Sequence, residues 1–225
     1  MNDESTTRER RRAWALFITV IAIFAWLVVR DAWLCDDAFI TFRVVDNFHN
    51  DFGLRWNVVD RVQVFTHPLW CFLLVALGWI FGNLPLAAIW FSILMSVVAY
   101  FLIVPRPGRE NWDLVLLALL IPASKAVVEF GTSGLEGPLA YLLLVLLILA
   151  GGGLQRDWGR SDRWVPLIAA ALVLTRQDFV LLVAPLCIAW VARKGVRRAA
   201  VSLGVGASAV AIWEIISLIY YGSLF

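Results

Sequence analysis

The stretch from Asp31 to Trp70, DAWLCDDAFITFRVVDNFHNDFGLRWNVVDRVQVFTHPLW, decides how this chain is read. It carries six Asp and three Arg and lies between two long apolar runs. Two adjacent carboxylates, Asp36 and Asp37, stand where the first run ends. From there polar residues recur at Arg43, Asp46, Asn47, Asn50 and Asp51, and apolar ones at Ala38, Phe42, Val45 and Phe52. That spacing predicts an amphipathic helix with Asp36 as its N-cap and Gly53 as the C′ residue that ends it. Such a helix beside apolar runs is expected to lie in the membrane interface. Thr66-His67-Pro68 then opens the next helix, with Thr66 as cap and Pro68 in the first turn.

The chain around this stretch is built for lipid. Of its 225 residues 61% are hydrophobic and 16% charged, against about half and a quarter in a soluble domain. Apolar runs at about 14–34, 67–82, 85–105, 113–128, 138–152, 164–175, 179–192 and 199–221 predict an all-α, polytopic transmembrane helical bundle. Arg8, Arg10, Arg11 and Arg12 precede the first run. They place a 1–13 tail in the cytoplasm. No small-residue cleavage site follows the run, so it is expected to remain as a transmembrane helix. The 31–66 loop is then external.

Basic loops at 106–113, 154–164 and 192–199 are expected inside, and the breaks at 124–137 and 175–178 outside. This alternation requires segment 67–105 to cross the membrane a net odd number of times, with 67–82 short, re-entrant or partly interfacial. No internal repeat is visible, and Gly151-Gly152-Gly153 is the one low-complexity tract. The net charge of +2 is spread over short loops, which a membrane explains and nucleic acid does not. Cys35, Cys71 and Cys187 have the spacing of neither a metal site nor a disulfide framework.

Several polar groups could carry chemistry. Asp36 and Asp37 are either a cap and a solvated neighbour, or a pair in which one carboxylate takes the proton of an acceptor hydroxyl. Adjacent carboxylates resist being ionised together. Adjacent helical residues also diverge by about 100°, so one would catalyse and the other position. Asp37 is the favoured base. Arg43 lies on the helix face of Asp36 and can bind phosphate or snorkel to headgroups.

His67 at a helix start is a candidate for an anionic donor, or is structural. Lys125, Glu129 and Glu136 flank the Gly131–Glu136 turn; ionisable groups near membrane depth are functional candidates. Glu136 is alternatively a helix N-terminal acid. Arg176 and Asp178 could pair with each other or hold a donor phosphate. Neither a glycine-rich phosphate loop nor a His-Cys metal spacing occurs.

DDAFITFRVVDNF, GLRWN and THPLW, in that order, resemble the first external loop of the GT-C glycosyltransferase superfamily. More narrowly they resemble the arabinofuranosyltransferase-like branch. That branch reads Asp-Asp-Ala-Tyr-Ile, Gly-Leu-Val-Phe-Asn and Thr-Asn-Pro-Leu-Trp. Here Phe39 replaces Tyr, Arg55-Trp56 replaces Val-Phe, and His67 replaces Asn. Ser133-Gly134-Leu135-Glu136 and Thr175-Arg176-Gln177-Asp178 resemble two further elements of the branch, with Gln177 in place of its Pro.

The resemblance implies a GT-C bundle over 14–225 with 31–66 as catalytic loop. It implies a sugar moved from a polyprenyl-phosphate donor to a glycan, lipid or protein hydroxyl on the external side of the cell membrane. The acidic pair Asp36 and Asp37 is then catalytic. Arg43, His67, Glu136, Arg176 and Asp178 are candidates for the donor. Some members of the superfamily use a divalent cation such as Mg or Mn, and no dedicated ligand cluster is visible here beyond the Asp pair. Tyr220-Tyr221-Gly222-Ser223 resembles an element that runs on into further helices in relatives, so a C-terminally truncated enzyme is expected. The rival expectations are a transporter or flippase lined by Lys125, Glu129, Glu136, Arg176 and Asp178, or a non-catalytic truncated paralogue.

Overall fold

A computed structural model describes residues 2–106, 112–151 and 163–224. Among them are ten α-helices and no strand: α1 Asn2–Arg30, α2 Asp36–His49, α3 Pro68–Ile80, α4 Leu84–Ile103, α5 Trp112–Ala123, α6 Lys125–Glu129, α7 Gly137–Ala150, α8 Val165–Thr175, α9 Val180–Lys194 and α10 Val196–Tyr221. A short 3₁₀ turn, Gln177–Phe179, joins α8 to α9. Among the described residues three helical stretches are long and apolar enough to cross a membrane: Thr7–Arg30, Leu84–Ile103 and Val196–Tyr221. The chain is an all-α membrane bundle. Most of the basic loops expected at 106–113 and 154–164, with Gly152, Gly153 and Phe225, lie outside the described residues.

The helices form where the apolar runs are, but their ends are set by tertiary contacts. The first run stops at Arg30, not near 34. Beyond it the Trp33 amide donates to Thr132 Oγ1 (3.2 Å) and the Cys35 amide to the Ser133 carbonyl (2.9 Å), so the next loop takes over the backbone donors. The N-cap of α2 is Cys35. Asp36 does not cap: its Oδ1 accepts from the following amide of Asp37 at 3.2 Å, leaving both acids in the first turn. There the exposed N–H groups of a helix start favour negative charge.

α2 closes two residues before the expected glycine. Asp51 takes a left-handed conformation (φ 63°), and the Phe52 amide donates to Asn47 O and the Asp51 amide to Phe48 O. That is a Schellman closure with Asp in the glycine position. His67, not Thr66, is the N-cap residue of α3, and Pro68 is in the first turn as expected. The 113–128 run is broken: α5 ends at Ala123, after Pro122, and α6 starts at Lys125.

α2 and α3 run side by side in the same direction. Thr41 meets His67 at the start of α3, while His49 Nε2 donates to Val75 O (3.0 Å) and the ring stacks on Trp79 with centroids 5.5 Å apart. A side chain at Gly78 would collide with the His49 ring. α2 buries Ala38, Thr41, Phe42, Val44 and Val45 and leaves Phe39 and Ile40 exposed beside its acids. Apolar side chains next to charges suit a membrane–water boundary. At thirteen residues α3 is about 20 Å long, short of a perpendicular span of about 30 Å.

α4 packs on α7 and α10 on α8. Small buried residues on α4, namely Ala88, Ser92, Ser96 and Ala99, allow the close approach. The end of α10 is tied to the loop before α3. Tyr221 donates to the Leu54 carbonyl (2.6 Å), Ser217 to Gln63 Oε1 (2.6 Å), and Trp213 packs on Phe65 and Phe72.

Candidate functional site

The start of α2 is the meeting point of three other segments. The 131–136 turn is strapped to it by the Trp33–Thr132 and Cys35–Ser133 bonds. Buried Trp70 of α3 donates its Nε1 to the Gly134 carbonyl (3.0 Å), and Ser96 of α4 donates to Gly131 O (3.2 Å). Gly134 has φ +79° and sits so close to α2 that a Cβ would stand 2.8 Å from Ala38 Cβ and Leu34 Cδ2. Glycine there lets the turn press flat on α2, and this delivers Glu136 inward.

Glu136 is buried and is the hinge of a continuous polar chain. Its Oε2 lies 3.3 Å from His67 Nδ1, and its Oε1 accepts from Arg176 Nη1 at 3.3 Å. The other His67 nitrogen, Nε2, is 2.9 Å from the Thr41 hydroxyl. Arg176 also forks onto Asp178 through Nε (3.1 Å) and Nη2 (3.0 Å). Five side chains from α2, the start of α3, the start of α7 and the α8–α9 turn are thus joined.

Charge in this chain is unevenly shared. Burial pushes the His67 pKa below its ordinary 6.5; Glu136 opposes this, and Arg176 adds to it. His67–Glu136 is therefore a hydrogen bond from a neutral imidazole: Nδ1–H donates to Glu136, and Nε2 accepts from Thr41. The Arg176 fork holds Asp178 below the usual carboxylate range, and Asp178 in turn raises the Arg176 guanidinium. Arg176 is half exposed, so this outer pair is partly screened.

Asp36 and Asp37 are both exposed. Helical geometry separates their roles. Asp37 precedes Thr41 by one turn, on the side of α2 that meets His67. Asp36 lies about 100° round the helix, nearer the side of Arg43. Cys35 Sγ and the two carboxylates lie within 4.8 Å of one another. Two carboxylates suit a hard divalent cation and a thiol does not.

Among the residues expected from the sequence, His67, Glu136, Arg176 and Asp178 come together beside the start of α2. Arg43 does not join them: its guanidinium lies 4.4 Å over the Trp56 ring and its Nε donates to Trp56 O (3.1 Å). Lys125 and Glu129 pair with each other (3.3 Å) on exposed α6. Thr41 went unread in the sequence, although a hydroxyl one turn after Asp37 on the otherwise apolar side of α2 was the available signal. Cys71 is buried, as expected of a small apolar core residue.

No family model matches this chain, and no solved structure matches it. Two curated relatives do. The chain is 28% identical over 234 residues to the terminal beta-(1->2)-arabinofuranosyltransferase of Mycobacterium tuberculosis (strain ATCC 25618 / H37Rv), covering 94% of this chain and 36% of the relative. It is 32% identical over 146 residues to the terminal beta-(1->2)-arabinofuranosyltransferase of Corynebacterium glutamicum, covering 57% of this chain and 21% of that relative. The resemblance carried by the motifs is therefore met by similarity along nearly the whole chain. The chain spans about a third of the length of the first relative and about a fifth of the second.

Proposed function

We propose that this chain is the membrane portion of a glycosyltransferase that moves a pentofuranosyl group from a polyprenyl-phosphate donor to an acceptor hydroxyl on the external face of the cell membrane. The observation that carries the reading is the placement of Asp37: it stands one turn from the Thr41–His67–Glu136–Arg176–Asp178 chain, on the polar rim of a membrane bundle. The names of the two relatives support the class of sugar.

In this reading Asp37 accepts the proton of the acceptor hydroxyl as its oxygen attacks the anomeric carbon. The bond from that carbon to the phosphate oxygen breaks, and the phosphate leaves on its lipid. Arg176, half exposed and the one cation of the cluster, faces the departing charge. Glu136 and His67 are too enclosed to meet the donor; they fix the turn that carries Arg176. Asp36, with Asp37, would hold a divalent cation, which would neutralise donor phosphate. N-terminal Arg8, Arg10, Arg11 and Arg12 put the tail in the cytoplasm and the site outside. The 1–13 segment is then cytoplasmic, and 14–225 the transmembrane domain.

The test is release of polyprenyl phosphate from polyprenyl-phosphoryl arabinofuranose by the chain in lipid nanodiscs with an arabinan acceptor. Transfer that Asp37→Asn abolishes is the expected result. Product formation that is indifferent to Asp37 would remove the proposed mechanism.

A further inference from the structure

The side of α2 that does not meet His67 forms one wall of a second cavity, of about 550 Å³. The other wall is the turn from α3 into α4. Phe39, Arg43, Asp46 and His49 line it from α2, and Phe81 and Asn83 from the turn. The walls are fixed against each other, since His49 bonds to Val75 O (3.0 Å) and stacks on Trp79 of α3. Gly78 also lines the cavity, where a Cβ would strike the His49 ring. The cavity is separate from the Glu136 cluster. Phe39 and Asp46 lie about 200° and 180° round α2 from Asp37, and Asp46 stands about 13 Å further along the axis.

The cavity offers donors, acceptors and aromatic faces together. Arg43 donates Nε to Trp56 O (3.1 Å), which leaves its terminal nitrogens as donors. Asn83 Oδ1 accepts from the Leu86 amide (3.0 Å), which leaves Nδ2 as a donor. Asp46 makes no ion pair among the described residues, and its Oδ1 takes a long bond from Asn50 Nδ2 (3.3 Å). Phe39 and Phe81 are 51% and 52% exposed. Neither an anion nor a hydrocarbon satisfies this set. A phosphate would meet the Asp46 carboxylate as a like charge. A lipid chain would cover Arg43, Asp46 and Asn83 and give them no partner. A sugar hydroxyl both donates and accepts, so it meets Asp46 and Arg43 alike. The C–H face of a sugar ring also suits the negative face of an aromatic ring.

We propose that this cavity binds uncharged sugar units of an extended glycan, apart from the unit that reacts. That the glycan is the acceptor rests on the transfer proposed above; that it is a sugar rests on the cavity. Exposed Asp36, Ile40 and Arg43 form the face of α2 between Asp37 and the cavity. A glycan with its terminal hydroxyl at Asp37 crosses that face to reach Asp46. The spacing along α2 sets a length requirement: one sugar unit at Asp37 leaves the cavity empty, and an oligosaccharide fills it. Contacts made this far from the reacting carbon serve to hold the hydroxyl in place.

The experiment is a binding titration of the chain in phosphatidylcholine nanodiscs, with methyl arabinofuranoside and an arabinofuranose hexasaccharide as probes. The hexasaccharide is expected to bind at least about 10-fold more tightly than the methyl glycoside. Asp46→Ala should weaken the hexasaccharide about 10-fold, the worth of a charge-assisted hydrogen bond. Phe39→Ala should weaken it about 5-fold through the lost ring face, while Lys125→Gln leaves it unchanged. Asp46 and Phe39 are both exposed, so their variants keep the fold. Absent or equal binding of the two sugars overturns the subsite, as does unchanged hexasaccharide affinity in either folded variant. Displacement of the hexasaccharide by inorganic phosphate would give the cavity to an anion and overturn it too. Hexasaccharide bound as expected but never extended in the presence of donor would count against the reaction and leave the sugar site standing.

Discussion

His67 Nδ1 and Glu136 Oε2 lie 3.3 Å apart, and the proton between them sits on a neutral imidazole. This pairing ties the loop that enters α3 to the turn that enters α7. Because Arg176 occupies the other oxygen of the same carboxylate, any change at Glu136 is felt on both sides.

A pH dependence follows from the direction of the His67 shift. Its folded pKa lies below the ordinary 6.5, so the unfolded chain binds this proton more readily. The neutral ring's contribution to stability is fully present above pH 6.5 and is lost as pH falls below it. Thermal unfolding in nanodiscs from pH 8 to 5 should show this loss, and His67→Gln should reduce it. A His67→Gln profile parallel to the parent's would show that the ring is not held neutral.

Removing the hinge should cost more than removing the rim. Glu136→Ala leaves buried His67 without its acceptor and Arg176 with Asp178 alone. Because Arg176 is half exposed, the expected loss is about 2 kcal/mol, below that of a fully buried pair. Asp178→Ala, at an exposed pair, should cost under about 1 kcal/mol. Denaturant unfolding of both variants measures the order, and equal losses would place the weight at the rim.

Gly134 tests the seating of the turn on α2. A non-glycine residue there costs about 1–2 kcal/mol for its left-handed backbone. The Cβ pressed on Ala38 and Leu34 adds about 1–3 kcal/mol of overpacking. Gly134→Ala should therefore unfold at clearly lower temperature, and a variant as stable as the parent would mean that the turn is not packed on the helix.

The two aspartates should separate in kinetics. If Asp37 is the base, Asp37→Asn lowers turnover about 100-fold or more, with inserted and folded protein. Asp36→Asn, about 100° round α2 from Asp37, should do less. The measurement is single-turnover release of polyprenyl phosphate; the reverse order would hand the base to Asp36.

Much of this was legible in the sequence. The apolar runs announced a helical membrane bundle, because the length and hydropathy of a span are local properties of about twenty residues. The polar 31–66 stretch, the Pro68 start of α3 and the acid-first α2 were local too. So were the motifs that pointed to arabinofuranosyltransferases, which the two relatives bear out. Helix ends were misplaced where the partner of a backbone group came from elsewhere. The Cys35 amide binds Ser133 O; the end of α2 differs for a local reason, Asp51 taking the left-handed position, and Gly53 packs against Tyr220.

Arg30–Asp31, Lys125–Glu129 and Arg176–Asp178 are local pairs, but tertiary structure decided which charges meet at Glu136. In the sequence Arg43 and His67 both stood as candidates for an anion, and Thr41 was not among them. Packing placed His67 between Thr41 and Glu136, where burial keeps it neutral, and set Arg43 on the Trp56 ring. It also left Arg55 and Arg61 without acids beside the last aromatic residues of α10. Sequence fixes which groups a helix carries, since that depends on neighbours along the chain. The identity of each group's partner depends on how the helices pack, because a hydrogen bond reaches only about 3 Å and its two ends are set by different elements.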